Sequence, residues 1–170
     1  MTILTVLRFP DPRLRIKAQP VTGMTPATAT IIDDMLATMY NEEGVGLAAT
    51  QVDIHQRIVV MDTSAEKDQA IILINPEIIA TSDETSVHEE GCLSVPGTYA
   101  KVDRHNQCTV KALDRNGIEF SIEATELQSI CIQHELDHLN GILFVDYLSP
   151  LKRQRIKSKL EKEAKATKNK

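Results

Sequence analysis

The sequence predicts an α+β fold in which antiparallel strands pack around a central buried helix, with a further helix at the C-terminus. Runs of β-branched residues do not alternate with helices as βαβ units would require. A hairpin signal separates two of these runs, and a later helical segment is apolar on two sides, which is typical of a buried helix. The 170 residues fit one domain with a single core.

The first helix is predicted to begin at Pro26, because Thr25 is a polar cap residue and proline is favoured at the first helical position. It is predicted to end before Gly44. The segment Gly44–Val52 contains two glycines, which favours a loop where the backbone approaches another group closely.

Two strands are predicted at Arg57–Asp62 and Ile71–Ala80, both rich in β-branched residues. Pro76 indicates that the second strand lies at an edge or contains a break. The acidic segment Thr81–Glu90 is predicted to be a loop or an irregular strand.

A hairpin is predicted from Cys108–Leu113 and Ile118–Ala124, on either side of an Asp-Arg-Asn-Gly turn. The central helix is predicted to begin at Thr125, where Thr-Glu-Leu-Gln matches a capping box. Gly141 is predicted to end it.

The C-terminal segment is basic, whereas the rest of the chain is acidic. Lys152–Lys170 contains nine Lys or Arg and two Glu, while the preceding residues contain 10 basic and 22 acidic side chains. This split argues against a nucleic-acid-binding body. We predict one catalytic domain over residues 1–150 and a basic helix and tail over 151–170, with a mobile end beyond Glu163.

A cytoplasmic location is expected from the same sequence. No apolar run reaches the roughly 20 residues that a membrane span needs. The first residues resemble neither a signal peptide nor a transit peptide. The three cysteines form no paired framework, which favours buried thiols or metal ligands.

An HExxH pattern, His134 to His138, lies inside the predicted buried helix. Residues four apart share a helix face, so both imidazoles can bind one metal ion, and Glu135 can act on a water without being a ligand. Two unpaired buried histidines and a buried glutamate would be costly, which favours a metal site over histidines satisfied within the core.

The third metal ligand does not follow the common protease pattern. HExxHxxGxxH would require histidine where Phe144 stands, and Glu161 and Glu163 lie in the charged tail. Cys92, within Glu-Gly-Cys-Leu-Ser, is the better candidate. A Cys/His/His set with an open fourth position suits a catalytic site.

Three segments together resemble the motifs of bacterial peptide deformylase. They are GVGLAATQ at 44–51, EGCLS at 90–94 and QHELDHLNG at 133–141. The similarity extends over the chain up to the basic tail.

The resemblance implies a metal-dependent hydrolase that removes the formyl group from the N-terminal methionine of new peptides and releases formate. Cys92, His134 and His138 would hold the metal, and Glu135 would transfer the proton. The native metal would be Fe(II), with Zn(II) or Ni(II) as substitutes, although ligand chemistry alone favours zinc.

The resemblance also assigns the groups that contact the substrate. The Gln51 amide and the Leu93 backbone N–H would stabilise the oxyanion, since both donate without adding a competing charge. The residues expected to bind the formyl-methionyl peptide are Val45, Gly46, Glu90, Leu127, Ile130 and Cys131. His88 and Tyr99 depart from common family patterns, which leaves preference beyond methionine undetermined.

Two alternatives and two further expectations accompany this interpretation. The chain could be a zinc metallopeptidase that cuts internal bonds, or a non-catalytic, metal-stabilised module whose basic tail binds ribosomal RNA. We expect a monomer that does not bind membranes. In some bacterial members the C-terminal extension docks on the ribosome, and the charge split agrees with that role.

Overall fold

The computed structural model describes every residue from Met1 to Lys170. It contains three α-helices and seven strands, in the order α1 Pro26–Asn41, β1 Gly46–Ala48, β2 Ile58–Met61, β3 Ile71–Thr81, β4 Thr85–Cys92, β5 Val95–His105, β6 Gln107–Leu113, β7 Glu119–Thr125, α2 Glu126–Leu139 and α3 Pro150–Lys168. Short 3-10 turns lie at Pro12–Arg15, Ala49–Val52 and Phe144–Tyr147. The predicted α+β class is therefore confirmed.

The strands form two antiparallel sheets. The larger sheet has the order β1-β2-β3-β6-β7, and β4 pairs with β5 in a separate hairpin. All four residues of β2 are buried, because both faces of the large sheet are covered. Val59 and Met61 of β2 belong to the cluster around α2, and Ile58 and Val60 belong to the cluster around α1.

Helix α2 lies at the centre of the molecule. Ile132 and Leu139 are fully buried in one cluster with Leu73 and Val110 of the large sheet. A third cluster joins the N-terminal segment, β5, the segment 143–145 and Leu160 of α3. The helix is thus enclosed by the large sheet on one side and the hairpin region on the other, and polar side chains on α2 must find partners inside the protein.

Several elements confirm the sequence predictions. The Thr25 hydroxyl accepts a hydrogen bond from the Thr28 N–H at the start of α1. The β6–β7 hairpin forms around the turn at 114–117. Helix α3 begins after Ser149, whose hydroxyl accepts from the Lys152 N–H.

Other elements differ from the predictions for local reasons. Gly46–Ala48 is a strand rather than a loop, because it pairs with β2. Thr85–Cys92 is a strand of the β4–β5 hairpin with a register shift between Glu90 and Cys92, which agrees with the irregular strand that was one of the two predictions for this acidic segment, whereas β5 was not predicted. Pro76 marks a break, a register shift in β3, although β3 lies inside the sheet and not at its edge.

The predicted capping box at Thr125 was wrong. Thr125 forms no capping hydrogen bond with its side chain, because it is still paired with Gln107 in the β6–β7 ladder. The segment beyond Glu163 continues as helix to Lys168.

No helix in the structure combines the length and the apolar character that crossing a membrane requires.

Candidate metal centre

The three predicted ligands come from two elements that face each other. His134 and His138 lie one turn apart on the buried helix α2. Cys92 is the last residue of β4 and pairs with Val95 across the hairpin end, just after a register shift at Gly91. This irregular end of the hairpin brings the thiol against α2.

The donor atoms of these residues converge. The distance from Cys92 Sγ to His138 Nε2 is 3.2 Å, and that from His138 Nε2 to His134 Nε2 is also 3.2 Å. All three donor atoms lie within 4.8 Å of one another. Nitrogen ligands of one tetrahedral ion, at about 2.0–2.1 Å from the metal, are about 3.3 Å apart. The donor set therefore fits a single divalent ion in both chemistry and spacing.

Glu90 holds the outer nitrogen of His134. His134 Nδ1 lies 2.8 Å from Glu90 Oε1, and Arg104 donates to both oxygens of the same carboxylate. Burial raises the pKa of Glu90, but the hydrogen bonds from Arg104 and His134 outweigh burial and lower it to about 2. A carboxylate at Nδ1 keeps the proton on that nitrogen and leaves the Nε2 lone pair free for a metal.

The expectation that Glu90 binds substrate stays a prediction. Both of its oxygens are engaged by Arg104 and His134, and the residue is buried behind the ligands. The carboxylate is therefore placed to orient the ring of His134.

The two histidines differ in their proton affinity. Burial lowers the pKa of His134, but interactions with Cys92 and Glu90 raise it well above the usual value. Burial and the neighbouring His134 lower the pKa of His138 well below the usual value.

Glu135 is a buried carboxyl group whose pKa lies near neutrality. Burial raises its pKa to about 7, although His134 acts in the opposite direction. Its Oε2 atom has no hydrogen-bond partner in the protein. A Cβ atom on Gly46 would lie 2.7 Å from Glu135 Oε1, so only glycine allows β1 to approach this carboxylate so closely. A group with such a pKa can both accept and return a proton at neutral pH.

Gln51 is fixed by two hydrogen bonds with its amide pointing toward Cys92. Its Oε1 accepts from the Ala48 N–H at 2.9 Å, and its Nε2 donates to the Ser94 hydroxyl at 3.0 Å. The same Nε2 lies 3.6 Å from Cys92 Sγ. The amide is therefore held rigidly beside the donor set, and Ser94, which the sequence did not identify, helps to hold it.

The residues predicted for a methionine pocket lie beside Glu135. The Cys131 thiol is buried and donates to the Val45 carbonyl at 3.7 Å. Leu127 is half exposed and Ile130 is partly buried, on the same side of α2 as Cys131. These side chains form a small apolar surface next to the donor set.

Arg104 is the charged residue beside the donor set that sequence reasoning missed. It is buried and forms ion pairs with Glu90 and Asp137. The signal that could have found it is the alternation of Val102 and Arg104 in β5, which places both on the inner face of a strand.

Comparison with known proteins agrees with this geometry. Residues 3–154 match the sequence model of the polypeptide deformylase family. The chain belongs to this family. It is 63% identical over 165 residues to peptide deformylase 1 of Shewanella oneidensis, covering 97% of this chain and 98% of that protein. It is 64% identical over 165 residues to the peptide deformylase of Pseudoalteromonas translucida, again covering 97% of this chain and 98% of that protein.

The fold matches that of a solved deformylase. The crystal structure of a peptide deformylase from Legionella pneumophila superimposes with a TM-score of 0.94 at 46% identity, covering 99% of each chain. The chain is thus a metal-dependent hydrolase that removes the N-formyl group from nascent peptides. The deformylase resemblance is confirmed, and the two alternative functions are set aside.

Proposed function

We propose that Cys92, His134 and His138 hold the metal of this deformylase, and that the native ion is Fe(II), with Zn(II) or Ni(II) as substitutes. The observation that carries the ligand assignment is the convergence of one thiol and two imidazole nitrogens, with 3.2 Å between neighbouring donor atoms. The preference for iron comes from the family resemblance, because the donor set alone favours zinc.

Glu135 moves the proton in the proposed reaction. A divalent ion in this position would lower the pKa of a water and polarise a carbonyl group. Glu135 accepts a proton from the water as the water oxygen adds to the formyl carbon. Glu135 then gives this proton to the peptide nitrogen as the C–N bond breaks. The products are formate and a peptide with a free amino terminus. The free Oε2 atom and the pKa near 7 support this double role.

Gln51 and the Leu93 backbone N–H stabilise the oxyanion that forms during the addition. The Gln51 amide is already oriented by Ala48 and Ser94, so its donor does not need to reorganise as charge develops. Leu93 directly follows Cys92, which places its N–H next to the same donor set.

The substrate is a peptide that begins with N-formylmethionine. Val45, Gly46, Leu127, Ile130 and Cys131 form its binding surface. The apolar character of this surface suits an unbranched thioether side chain, and Gly46 lets the peptide backbone come close.

Replacement of Cys92 with alanine tests the metal assignment. Cys92→Ala removes the only thiolate of the set, so purified protein should lose its metal and its release of formate from formyl-Met-Ala-Ser under anaerobic conditions. Cys108→Ala is the matched control, because Cys108 is a buried thiol in the core formed with the large sheet. Full metal content and full activity in Cys92→Ala would contradict the assignment. Metal analysis of anaerobically purified protein tests for iron.

We also propose that the enzyme is cytoplasmic and monomeric. We further propose that it contacts the ribosome through the basic helix α3. Only Leu160 of α3 is buried, so the basic side chains of the helix remain available to bind phosphate groups. The acidic body would be repelled by RNA, and binding would therefore occur through α3.

A further inference from the structure

Arg104 connects the donor set to a tyrosine at the surface. Its Nε and Nη2 atoms donate to the two oxygens of Glu90 at 2.7 and 2.9 Å, and its Nη1 donates to Asp137 Oδ2 at 2.7 Å. The Tyr147 hydroxyl donates to the same Asp137 oxygen at 2.8 Å. The Tyr147 ring also lies 4.9 Å from the guanidinium carbon. A continuous set of contacts therefore leads from Tyr147 to Nδ1 of His134.

We infer that Asp137 and Tyr147 are positioning residues for the metal: they fix the Arg104 guanidinium, which through Glu90 holds the ring of His134. This inference rests on the proposed role of His134 as a ligand. Neither residue contacts the donor atoms, so both act through Arg104 and Glu90.

The geometry of the guanidinium explains why two further partners are needed. A planar guanidinium presents its donors in a fixed fork, and Glu90 occupies the edge formed by Nε and Nη2. Arg104 is only 5% exposed, so a donor left without a partner on Nη1 would be costly. Asp137 accepts from that nitrogen, and the ring of Tyr147 covers one face of the plane. These contacts fix the Arg104 guanidinium in the orientation in which Nε and Nη2 both reach the Glu90 carboxylate.

The negative charge of Asp137 also affects how strongly Glu90 accepts the hydrogen bond from His134. Glu90 and Arg104 neutralise each other, whereas Asp137 adds a carboxylate on the far side of the guanidinium. By sharing Arg104, Asp137 leaves more negative charge on Glu90 for the Nδ1–H of His134. A stronger acceptor at Nδ1 makes Nε2 a better ligand. Loss of the Asp137 charge should therefore weaken metal binding through His134.

The experiment measures Co(II) release from the full-length protein loaded with Co(II). Release to excess EDTA is followed by the cobalt–thiolate absorption, which also reports ligand geometry. Asp137→Asn should release the metal faster and shift the spectrum. The acceleration should be smaller than the about 10- to 100-fold loss in metal affinity that is typical when a direct partner of a ligand is removed, because Asp137 acts through Arg104 and Glu90. Tyr147→Phe should have a smaller effect in the same direction, because the ring contact with Arg104 remains.

Asp146→Asn is the matched control. Asp146 is adjacent in sequence to Tyr147 and pairs with Arg15 at 2.6 Å, but it does not contact Arg104 or Glu90. Its loss should lower the melting temperature while the cobalt release rate and spectrum stay as in the wild type. Equal acceleration in Asp137→Asn and Asp146→Asn would overturn the inference, because it would show a general loss of stability. Should Asp137→Asn fail to fold, Tyr147→Phe decides, and wild-type release in that variant would overturn the inference.

His134→Ala separates this inference from the ligand assignment. If His134→Ala loses Co(II) while Asp137→Asn behaves as the wild type, only the positioning role is wrong. If His134→Ala keeps Co(II) with an unchanged spectrum, the ligand set itself is wrong.

Discussion

Helices α2 and α3 are neighbours in the chain, yet one is enclosed and the other is almost entirely exposed. Nine of the fourteen residues of α2 are buried, including both histidines and Glu135, whereas Leu160 is the only buried residue among the nineteen of α3. Polar groups in α2 such as those of Gln133 and His134 are therefore held in fixed positions by specific partners. Those of α3 contribute mainly net charge. Single substitutions should thus have large effects around α2 and small effects on α3.

The largest effect is expected for Glu135→Gln. The amide has nearly the same shape but cannot accept the proton, so kcat should fall by about 10²–10⁴-fold while the metal content stays constant. Formate release and metal analysis measure the two quantities. Glu161→Gln, the same change on exposed α3, should leave both unaffected. Normal turnover in Glu135→Gln would remove this residue from the mechanism.

A somewhat smaller loss is expected for Gln51→Ala. Removal of one oxyanion donor typically lowers kcat by about 10²–10³-fold, with a much smaller change in KM. Steady-state kinetics with formyl-Met-Ala-Ser distinguishes the two parameters, and Gln154→Ala on α3 is the control. An increase in KM at constant kcat would show that Gln51 only binds the substrate.

The contrast between buried and exposed carboxylates should extend to stability in acid. Asp62 is fully buried after β2 and accepts hydrogen bonds from Tyr40, Ser64 and the Gln69 N–H. Burial raises the pKa of Asp62, but the bonds from Ser64 and Tyr40 reverse this and hold the pKa below its usual value. Because the folded pKa is the lower one, the stabilisation is complete above about pH 4, the usual pKa of an unfolded aspartate, and is lost as the pH falls further.

Asp62→Asn should therefore unfold more easily than the wild type at pH 7, and the difference should shrink as the pH falls below about 4. Urea denaturation between pH 3 and pH 7 measures the free energy of unfolding. Glu163→Gln on α3 should match the wild type throughout this range. A difference between Asp62→Asn and the wild type that is independent of pH would contradict the assigned titration.

The smallest effect on catalysis is expected from deletion of residues 164–170. These residues are exposed and lie far along α3 from the donor set, so deformylation of a short peptide should be unchanged. Co-sedimentation with ribosomes at low salt should weaken, because three lysines are lost. Equal co-sedimentation of the truncated and full-length proteins would show that this end of the helix does not contribute to binding.

The sequence predicted α2 and its donor residues well, because their signal is local. The spacing of His134, Glu135 and His138 on one helix needs no knowledge of the rest of the fold. Cys92 was identified from its own short motif. The helices α1 and α3 were predicted from cap residues, which are also local.

The features that the sequence did not predict depend on distant partners. Strand β1 forms only because β2 lies beside it, and β4 and β5 are polar enough to resemble loops until they pair. Arg104 belongs to one of these strands, so its contact with Glu90, fourteen residues away in the chain, could not be predicted. The direction of the Glu90 carboxylate could not be predicted for the same reason, since its motif indicates proximity to Cys92 but not which way the carboxylate points.

The helical state of the basic end gives α3 the properties of a rigid spacer. Nineteen residues at 1.5 Å each make a rod about 28 Å long, whereas a disordered chain of that length would sample many end-to-end distances. A surface that binds the last turns is consequently held at one distance and one angle from the rest of the enzyme. Insertion of a single alanine in the middle of the rod would turn the last lysines by about 100° around its axis, while four alanines would lengthen it by about 6 Å and nearly restore their direction.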